Sequence, residues 1–413
     1  MNWTPALRSF IQIHINDDTA ELLLAARRYP DVDVPFAVEQ IEARRRLKSK
    51  LPEWYNNAEL IMGGRLPAEQ CSSEVTARYK QRILTGLGLR DESLEIQSLC
   101  DMTGGMGVDF WYMSEGMKRA IYTERNEELC KIAKHNFEVL KDGKHPEVEV
   151  RCGDGQELPI PSVDIIYLDP ARRAGDGGRV YAMEDCEPNI VEWQDELLQH
   201  TKMVLVKLSP MVDLTDVLRK LKGVTDVYVV GVKNECKEVL VQAHALGDSL
   251  RAGCVQVHCV DFLTDRTIEY TFDILDEAHC VSLTPSGVQG FLYEPDVTLM
   301  KAQAFGSLCQ RYPVSQLDVE THLMTSDEFI ADFPGRIFEV EELIPFSSKV
   351  LKRLKKEMAQ ANIATRNFMM TADELRKKTG IKDGGEVYLF GTKVKDMGQM
   401  LLKCRKKVVT SHP

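Results

Sequence analysis

Ser98-Leu99-Cys100-Asp101-Met102-Thr103-Gly104-Gly105-Met106-Gly107-Val108-Asp109 decides the fold. A short apolar strand runs into three glycines within four residues, and a helical pattern follows. Glycine permits a tight turn and lets a ligand approach bare backbone at the carboxyl end of a parallel strand. The stretch lacks Gly-Lys-Ser/Thr, which argues against a nucleoside triphosphate loop. Alone, it also reads as an ordinary structural turn.

Working outward, short apolar runs alternate with helical patterns: 96–99 before a helix after Gly107, 120–123 before a helix over 127–140, then 148–150, 163–168, 204–208 and 224–230. This alternation predicts a parallel sheet covered by helices, an α/β Rossmann-like architecture. Runs 224–230 and 239–243 are too close for a crossover helix, so the last strand is expected to be antiparallel.

The strand exits carry acids. Glu124 follows the second strand, placed to bond a ribose diol, and its spacing from Gly107 leaves a dinucleotide cofactor open. Cys152-Gly153-Asp154-Gly155 follows the third. Asp154 could accept from an adenine amino group, with Gly155 keeping the pocket open, and either acid could instead cap a helix. The fourth strand exits through Asp169-Pro170-Ala171-Arg172-Arg173. Asp169 can accept a proton or orient an attacking amine, and Pro170 restricts its backbone. Arg172 and Arg173 could clamp a phosphate. Lys207, at the exit of the fifth strand, is a candidate substrate contact, and reads equally as a strand-end packing residue or a solvent-exposed one. Asn234 is a candidate for the pocket rim or a turn. Cys236 invites a covalent reading that no neighbouring residue supports.

The chain has 413 residues, is 44% apolar and carries a formal charge of −11, which excludes a disordered or collagen-like chain. No run approaches the ~18–20 apolar residues of a membrane span. The N-terminus shows no basic stretch followed by an apolar one, so no secretory signal is expected. Eleven scattered cysteines without a Cys-x-x-Cys pair fit a reducing, cytoplasmic setting. The nine histidines form no ligand cluster with them, so no metal is expected.

Charge is uneven. Residues 349–407 hold 16 basic and 6 acidic side chains. Lys352, Arg353, Lys355 and Lys356 there, and a second basic run over 44–50, are candidates for a polyanion surface or for a solvated helix face. Helices are expected over 5–28, 36–48, 67–88 (ended by Gly86 and Gly88), 297–308 and 349–359. Strands are expected at 254–262, 267–274, near 336–339 and near 386–389. The expected divisions are a helical region over 1–70, a central unit over 71–284 and a last unit over 285–413, bounded near Pro285-Ser286-Gly287.

Asp101 to Gly107, Glu124, Asp154 and Asp169-Pro170 resemble the ordered loop motifs of class I S-adenosylmethionine-dependent methyltransferases. Tyr293-Glu294-Pro295, Phe333-Pro334-Gly335-Arg336, Arg366-Asn367-Phe368 and 383–390 resemble the THUMP-like domain fused to a bacterial subgroup of these enzymes. Residues 69–74 and 234–238 resemble the same subgroup. The resemblance implies S-adenosyl-L-methionine as cofactor, with Asp101 and Thr103 in its loop, Gly104, Gly105 and Gly107 along the methionine portion, Glu124 on the ribose and Asp154 and Gly155 at the adenine. With the basic segment over 349–407, the loop series makes RNA, tRNA or rRNA, the expected partner. Asp169 and Pro170 match the first half of the Asp/Asn-Pro-Pro-aromatic loop of enzymes acting on exocyclic amino nitrogens. Ala171 replaces the second proline and Arg172 the stacking aromatic, so Tyr167 or Tyr181 would have to supply a ring.

Three functions stand: a methyltransferase acting on RNA, a silent nucleic-acid-binding or assembly protein on an enzyme fold, and a methyltransferase acting on protein or a small molecule.

Overall fold

The computed structural model describes residues 3–90, 96–172, 182–245, 254–279 and 287–407. Arg173, Tyr181 and Pro285-Ser286 lie outside these, as do the side chains of Arg172 and Lys355. The chain divides into two compact units, residues 1–224 with 240–249 and residues 225–239 with 250–413.

The first unit begins with helices α1 (Pro5–Ile13), α2 (Thr19–Leu24), α3 (Val34–Leu47), α4 (Pro52–Asn56), α5 (Arg65–Gln70) and α6 (Glu74–Arg90). The single helix expected over 5–28 is broken because Asp18 caps α2 through the amides of Ala20 and Glu21. Likewise the helix expected over 67–88 is two helices. Cys71 turns extended, at ψ 158°, and Ser73 Oγ accepts from Thr76 N. Gly86 and Gly88 do not end α6 but lie inside it. Leu7, Phe10, Ile11, Leu22, Val34, Ala37, Val38 and Ile41 form the core of this layer, each large side chain contributing about 1.5–3 kcal/mol on burial.

Most of the basic run over 44–50 is spent on internal structure, Lys48 being exposed. Arg44 is buried, donates to the carbonyls of Tyr55, Asn57 and Leu60, and is lowered to about 10 chiefly by that burial. Arg45 donates to Ile15 O, Arg46 pairs with Glu69, and Lys50 donates to the carbonyls of Ala68 and Glu69. These side chains hold the helical layer together.

The sheet follows: β1 (Ser98–Asp101), α7 (Val108–Met113), β2 (Arg119–Glu124), α8 (Glu127–Leu140), β3 (Val148–Cys152) and β4 (Val163–Leu168). Then come β5 (Ala171–Arg172), β6 (Cys186–Glu187), α9 (Ile190–Leu197), β7 (Thr201–Leu208), α10 (Leu214–Lys220), β8 (Val224–Val232) and β9 (Cys236–His244). β2 pairs parallel with β1 and β3, and β4 parallel with β1 and β7. Their carboxyl ends therefore share one edge. Along the first unit the order is β9-β7-β4-β1-β2-β3, so β9, not its predecessor in the chain, lies beside β7.

Two buried amides join the helical layer to the sheet. Gln40 exchanges hydrogen bonds with the backbone of Met62 at 2.7 and 2.8 Å, and Asn136 of α8 does the same with Ile61 at 2.8 and 2.9 Å. Each side chain copies a strand neighbour's donor and acceptor, so the extended segment is satisfied on both sides.

In the second unit, Lys233 and Asn234 take φ 55° and 62°, and Val232 and Glu235 exchange backbone bonds across them. This two-residue turn makes β8 and β9 antiparallel, as expected. β8 pairs parallel with β10 (Gln256–Phe262), which pairs antiparallel with β11 (Thr267–Asp273). Then come α11 (Ile274–His279), β12 (Phe291–Pro295), α12 (Val297–Ala302), α13 (Phe305–Arg311), β13 (Ser315–Gln316) and β14 (Met324–Ser326). After these come β15 (Gly335–Pro345), α14 (Ser348–Glu357), β16 (Asn362–Arg366), α15 (Ala372–Thr379), β17 (Val387–Val394) and β18 (Gly398–Lys407). Strands β12–β18 form a sheet of order β13-β14-β12-β15-β18-β17-β16. The helix expected over 297–308 is broken at Gln303, which adopts φ 56°. No helix among the described residues is long and apolar enough to cross a membrane.

Candidate active site

The glycine loop is shaped by what lies behind it. A Cβ on Gly104 would fall 2.2 Å from the Tyr122 ring, and one on Gly107, at φ 78°, 2.7 Å from Phe137. Both sites exclude any side chain. Gly105 differs: at φ 56° its open side meets nothing nearer than Thr103 O at 3.8 Å. The loop is tied by Gly104 N to Thr123 O at 2.8 Å and Gly107 N to Gly104 O at 2.8 Å.

The acidic strand ends converge on this loop. Glu124 Oε2 accepts from Gly105 N at 2.8 Å and Oε1 from Asn126 N at 2.7 Å. Each oxygen keeps a second lone pair. Glu124 O accepts from Gly153 N at 2.9 Å, bringing the third loop alongside. Asp154 Oδ1 accepts from Gln156 N at 2.9 Å, and Gly155 sits where a Cβ would be 2.7 Å from Met102 O.

Asp101 and Thr103 link the first loop to the fourth. Asp101 Oδ1 accepts from Thr103 N at 2.9 Å and Thr103 Oγ1 at 3.2 Å. Thr103 Oγ1 accepts from Asp169 N at 2.7 Å. Burial, with Asp109 and Asp169 nearby, pushes the Asp101 carboxyl well above the usual range despite the bonds from Thr103.

Asp169 and Pro170 are part-exposed at the exit of β4. Lys207 Nζ lies 2.6 Å from Asp169 Oδ2 and 3.2 Å from Ser72 Oγ. Ala171 and Arg172 pair with Glu187 and Cys186, so the chain leaves the loop as a short ribbon. Tyr167 does not supply the stacking ring: it is 1% exposed and donates to Asp109 Oδ2 at 2.8 Å.

The structure therefore brings Asp101, Thr103, Gly104, Gly105, Gly107, Glu124, Asp154, Gly155, Asp169, Pro170 and Lys207 to one edge of the first unit. Asn234 and α14 belong to the second unit. Asn234 is exposed and donates its amide to Asp261 Oδ2 at 2.9 Å. Lys352, Arg353 and Lys356 are exposed on α14, and Arg353 pairs with Glu342 at 3.1 Å and Glu357 at 3.3 Å. The Cys236 thiol is pushed up to about 11, chiefly by burial, the reverse of an activated thiolate. No His, Cys, Asp or Glu group among the described residues is arranged to hold a metal.

Three site residues escape a reading of the sequence. Ser72, Lys80 and Asp109 form a buried knot under Lys207, at 6%, 0% and 8% exposure. Ser72 lies within the motif over 69–74, but nothing in the sequence marks Lys80, which interrupts an apolar helix face, or Asp109.

The comparisons fix the family. The chain is 35% identical to a crystal structure from Porphyromonas gingivalis W83 that carries a provisional methyltransferase assignment. The match covers 98% of both chains at a TM-score of 0.86. The chain belongs to the class I S-adenosylmethionine-dependent methyltransferases. In this methyltransferase, residues 335–406 match the THUMP domain-like family and residues 291–334 a ferredoxin-like domain. Two further structures match more distantly. One, provisionally an RNA methyltransferase from Pyrococcus horikoshii, is 17% identical over 41% of this chain and 84% of its own, at a TM-score of 0.31. The other, a tRNA methyltransferase from Aquifex aeolicus, is 14% identical over 40% and 68%, at 0.29. A comparison with curated proteins found no match.

The donor set fits the cofactor. The methyltransferase offers an open glycine backbone at Gly105 and carboxylates with spare lone pairs at Glu124 and Asp154, suited to a cationic nucleoside with ribose and adenine donors.

Proposed function

We propose that this methyltransferase moves a methyl group from S-adenosylmethionine to a base in RNA, at an exocyclic amino nitrogen. When bound, the cofactor supplies an activated methyl on a sulfonium. In this reading Gly104, Gly105 and Gly107 line its methionine portion, Glu124 holds the ribose, and Asp154 and Gly155 meet the adenine. Asp101 and Thr103 keep the loop in shape. A reducing, cytoplasmic setting fits the scattered thiols.

The observation that carries the reading is the bond from Asp169 N to Thr103 Oγ1 at 2.7 Å, which fixes the acceptor-side loop against the glycine loop. Alignment supplies most of the rate when the leaving group is already activated. Asp169 accepts a hydrogen bond from the amino N–H of the nucleophile, faces the positive charge that develops on the nitrogen and can take the proton released as the methyl group arrives. Pro170 stiffens that loop. Arg172 stands in place of an aromatic and, with Arg173, serves a phosphate. A base reaches such a site only when unstacked, which single-stranded or irregular RNA permits. The RNA half is supported by the charge of residues 349–407 and the exposed Lys352, Arg353 and Lys356 on α14 within the THUMP domain-like match.

Labelled S-adenosylmethionine incubated with total RNA from cells lacking the protein tests this. Label in RNA supports it. Label appearing instead in protein or a small molecule replaces the RNA half with the other acceptor.

A further inference from the structure

The Lys207 ammonium sits on a buried set of partners. It lies 2.6 Å from Asp169 Oδ2, 3.2 Å from Ser72 Oγ and 3.6 Å from Asp109 Oδ2. Ser72 Oγ donates to Asp109 Oδ2 at 2.7 Å and accepts from Lys207 and from Lys80, the latter at 3.3 Å. A hydroxyl has one proton and two lone pairs, so Ser72 is fully used. Lys80 also reaches Asp109 Oδ1 at 3.2 Å and Thr76 O at 3.5 Å. Burial alone would raise Asp109, but the two ammoniums and the bonds from Ser72 and Tyr167 hold it well below the usual carboxylate range.

Two lysines and two aspartates therefore face one another, and the set is most exposed at its Asp169 end. Lys80 is fully buried and the Lys207 side chain is 13% exposed, whereas the Asp169 side chain is 38% exposed. A lysine on a four-carbon stem is a loose tether unless its own head is held. Here it is held by Ser72, which comes from the joint between α5 and α6, outside the sheet.

We propose that Lys207 is a positioning residue rather than a substrate contact. It occupies one carboxylate oxygen of Asp169 and leaves the other for the nucleophile. Ser72, braced by Lys80 and Asp109, holds Lys207 in place. The N-terminal helical segment is thus part of the catalytic centre. This rests on the reading of Asp169 as the group that orients the nucleophile. Asp169 is then fixed twice: at its backbone through Thr103 and Asp101, and at its side chain through Lys207 and Ser72.

The test uses the full chain with Ser72→Ala, Ser72→Thr and Lys207→Met. Methyl transfer to total RNA should fall about 100-fold in kcat for Ser72→Ala and Lys207→Met, the scale set by misplacement of about 1 Å. S-adenosylmethionine affinity, read by calorimetry, should stay within about threefold, because the cofactor loops are untouched. Ser72→Thr, which keeps the hydroxyl, should recover most of the lost rate. A kcat within about twofold of the parent in Ser72→Ala, or a cofactor affinity that falls in step with kcat, overturns the proposal. A second arm needs no substrate: nitrogen-15 spectra should show a slowly exchanging Lys207 ammonium that Ser72→Ala abolishes. If the parent labels no RNA, the RNA reading fails by itself, and this arm decides. Persistence of the signal in Ser72→Ala overturns the tether, and its loss supports it.

Discussion

The Gly105 amide donates to the Glu124 carboxylate at 2.8 Å, so the glycine loop after β1 and the acidic end of β2 form one unit. The same carboxylate takes Asn126 N, in the turn into α8. Glu124 therefore shapes the loop as well as offering lone pairs.

Substituting Glu124→Gln should weaken S-adenosylmethionine binding about 10- to 100-fold, since hydrogen bonds to a charged acceptor contribute about 1.5–3 kcal/mol. Calorimetric titration reads this. An affinity equal to the parent's would remove Glu124 from the cofactor site.

Gly104→Ala should destabilise the protein by about 1–3 kcal/mol, the range for overpacking, because its Cβ would overlap the Tyr122 ring. A Gly105→Ala change meets open space but a strained φ of 56°, so it should cost about 1–2 kcal/mol of stability and lose cofactor affinity as well, because the new methyl occupies the open side of the loop. Urea unfolding and titration, run on both variants, separate the two.

Much of this geometry is legible in the sequence. The helix over 127–140 and the strand over 163–168 stand where the pattern puts them, because an Asn cap and β-branched runs mark them locally. What the pattern misses is decided by tertiary packing. Gly86 and Gly88 look like helix stops, yet α6 continues through them. Arg44 to Arg46 read as a surface and instead bind carbonyls and a carboxylate. The knot under Lys207 joins Ser72 to residues in β4 and β7 that periodicity cannot relate to it.

The buried Asp101 carboxyl gives a pH test. Its folded-state proton affinity is raised above that of the unfolded chain. It therefore costs nothing at low pH, and its cost to stability grows as pH rises above the unfolded value of about 3.9. Asp101→Asn should gain stability relative to the parent on going from pH 4 to pH 8. A difference that stays flat or shrinks over that range would show that the group is ionised in the fold.

Lys352 and Lys356 stand one turn apart on the exposed face of α14. Changing both to Glu should weaken RNA binding and reduce the slope of log K against log salt by about 0.7–0.9 for each phosphate that the face no longer neutralises. Binding measured across a salt series reads the slope. An unchanged slope assigns this face to solvent alone.

The central claim is that four strand-end loops hold a methyl donor beside Asp169. The most direct test is transfer of labelled methyl from S-adenosylmethionine to total RNA by the parent and by Asp169→Ala, with cofactor binding measured on both. The account predicts methylated amino nucleosides from the parent, background label from Asp169→Ala, and cofactor affinities within about threefold of each other. Equal turnover by the two proteins would contradict it.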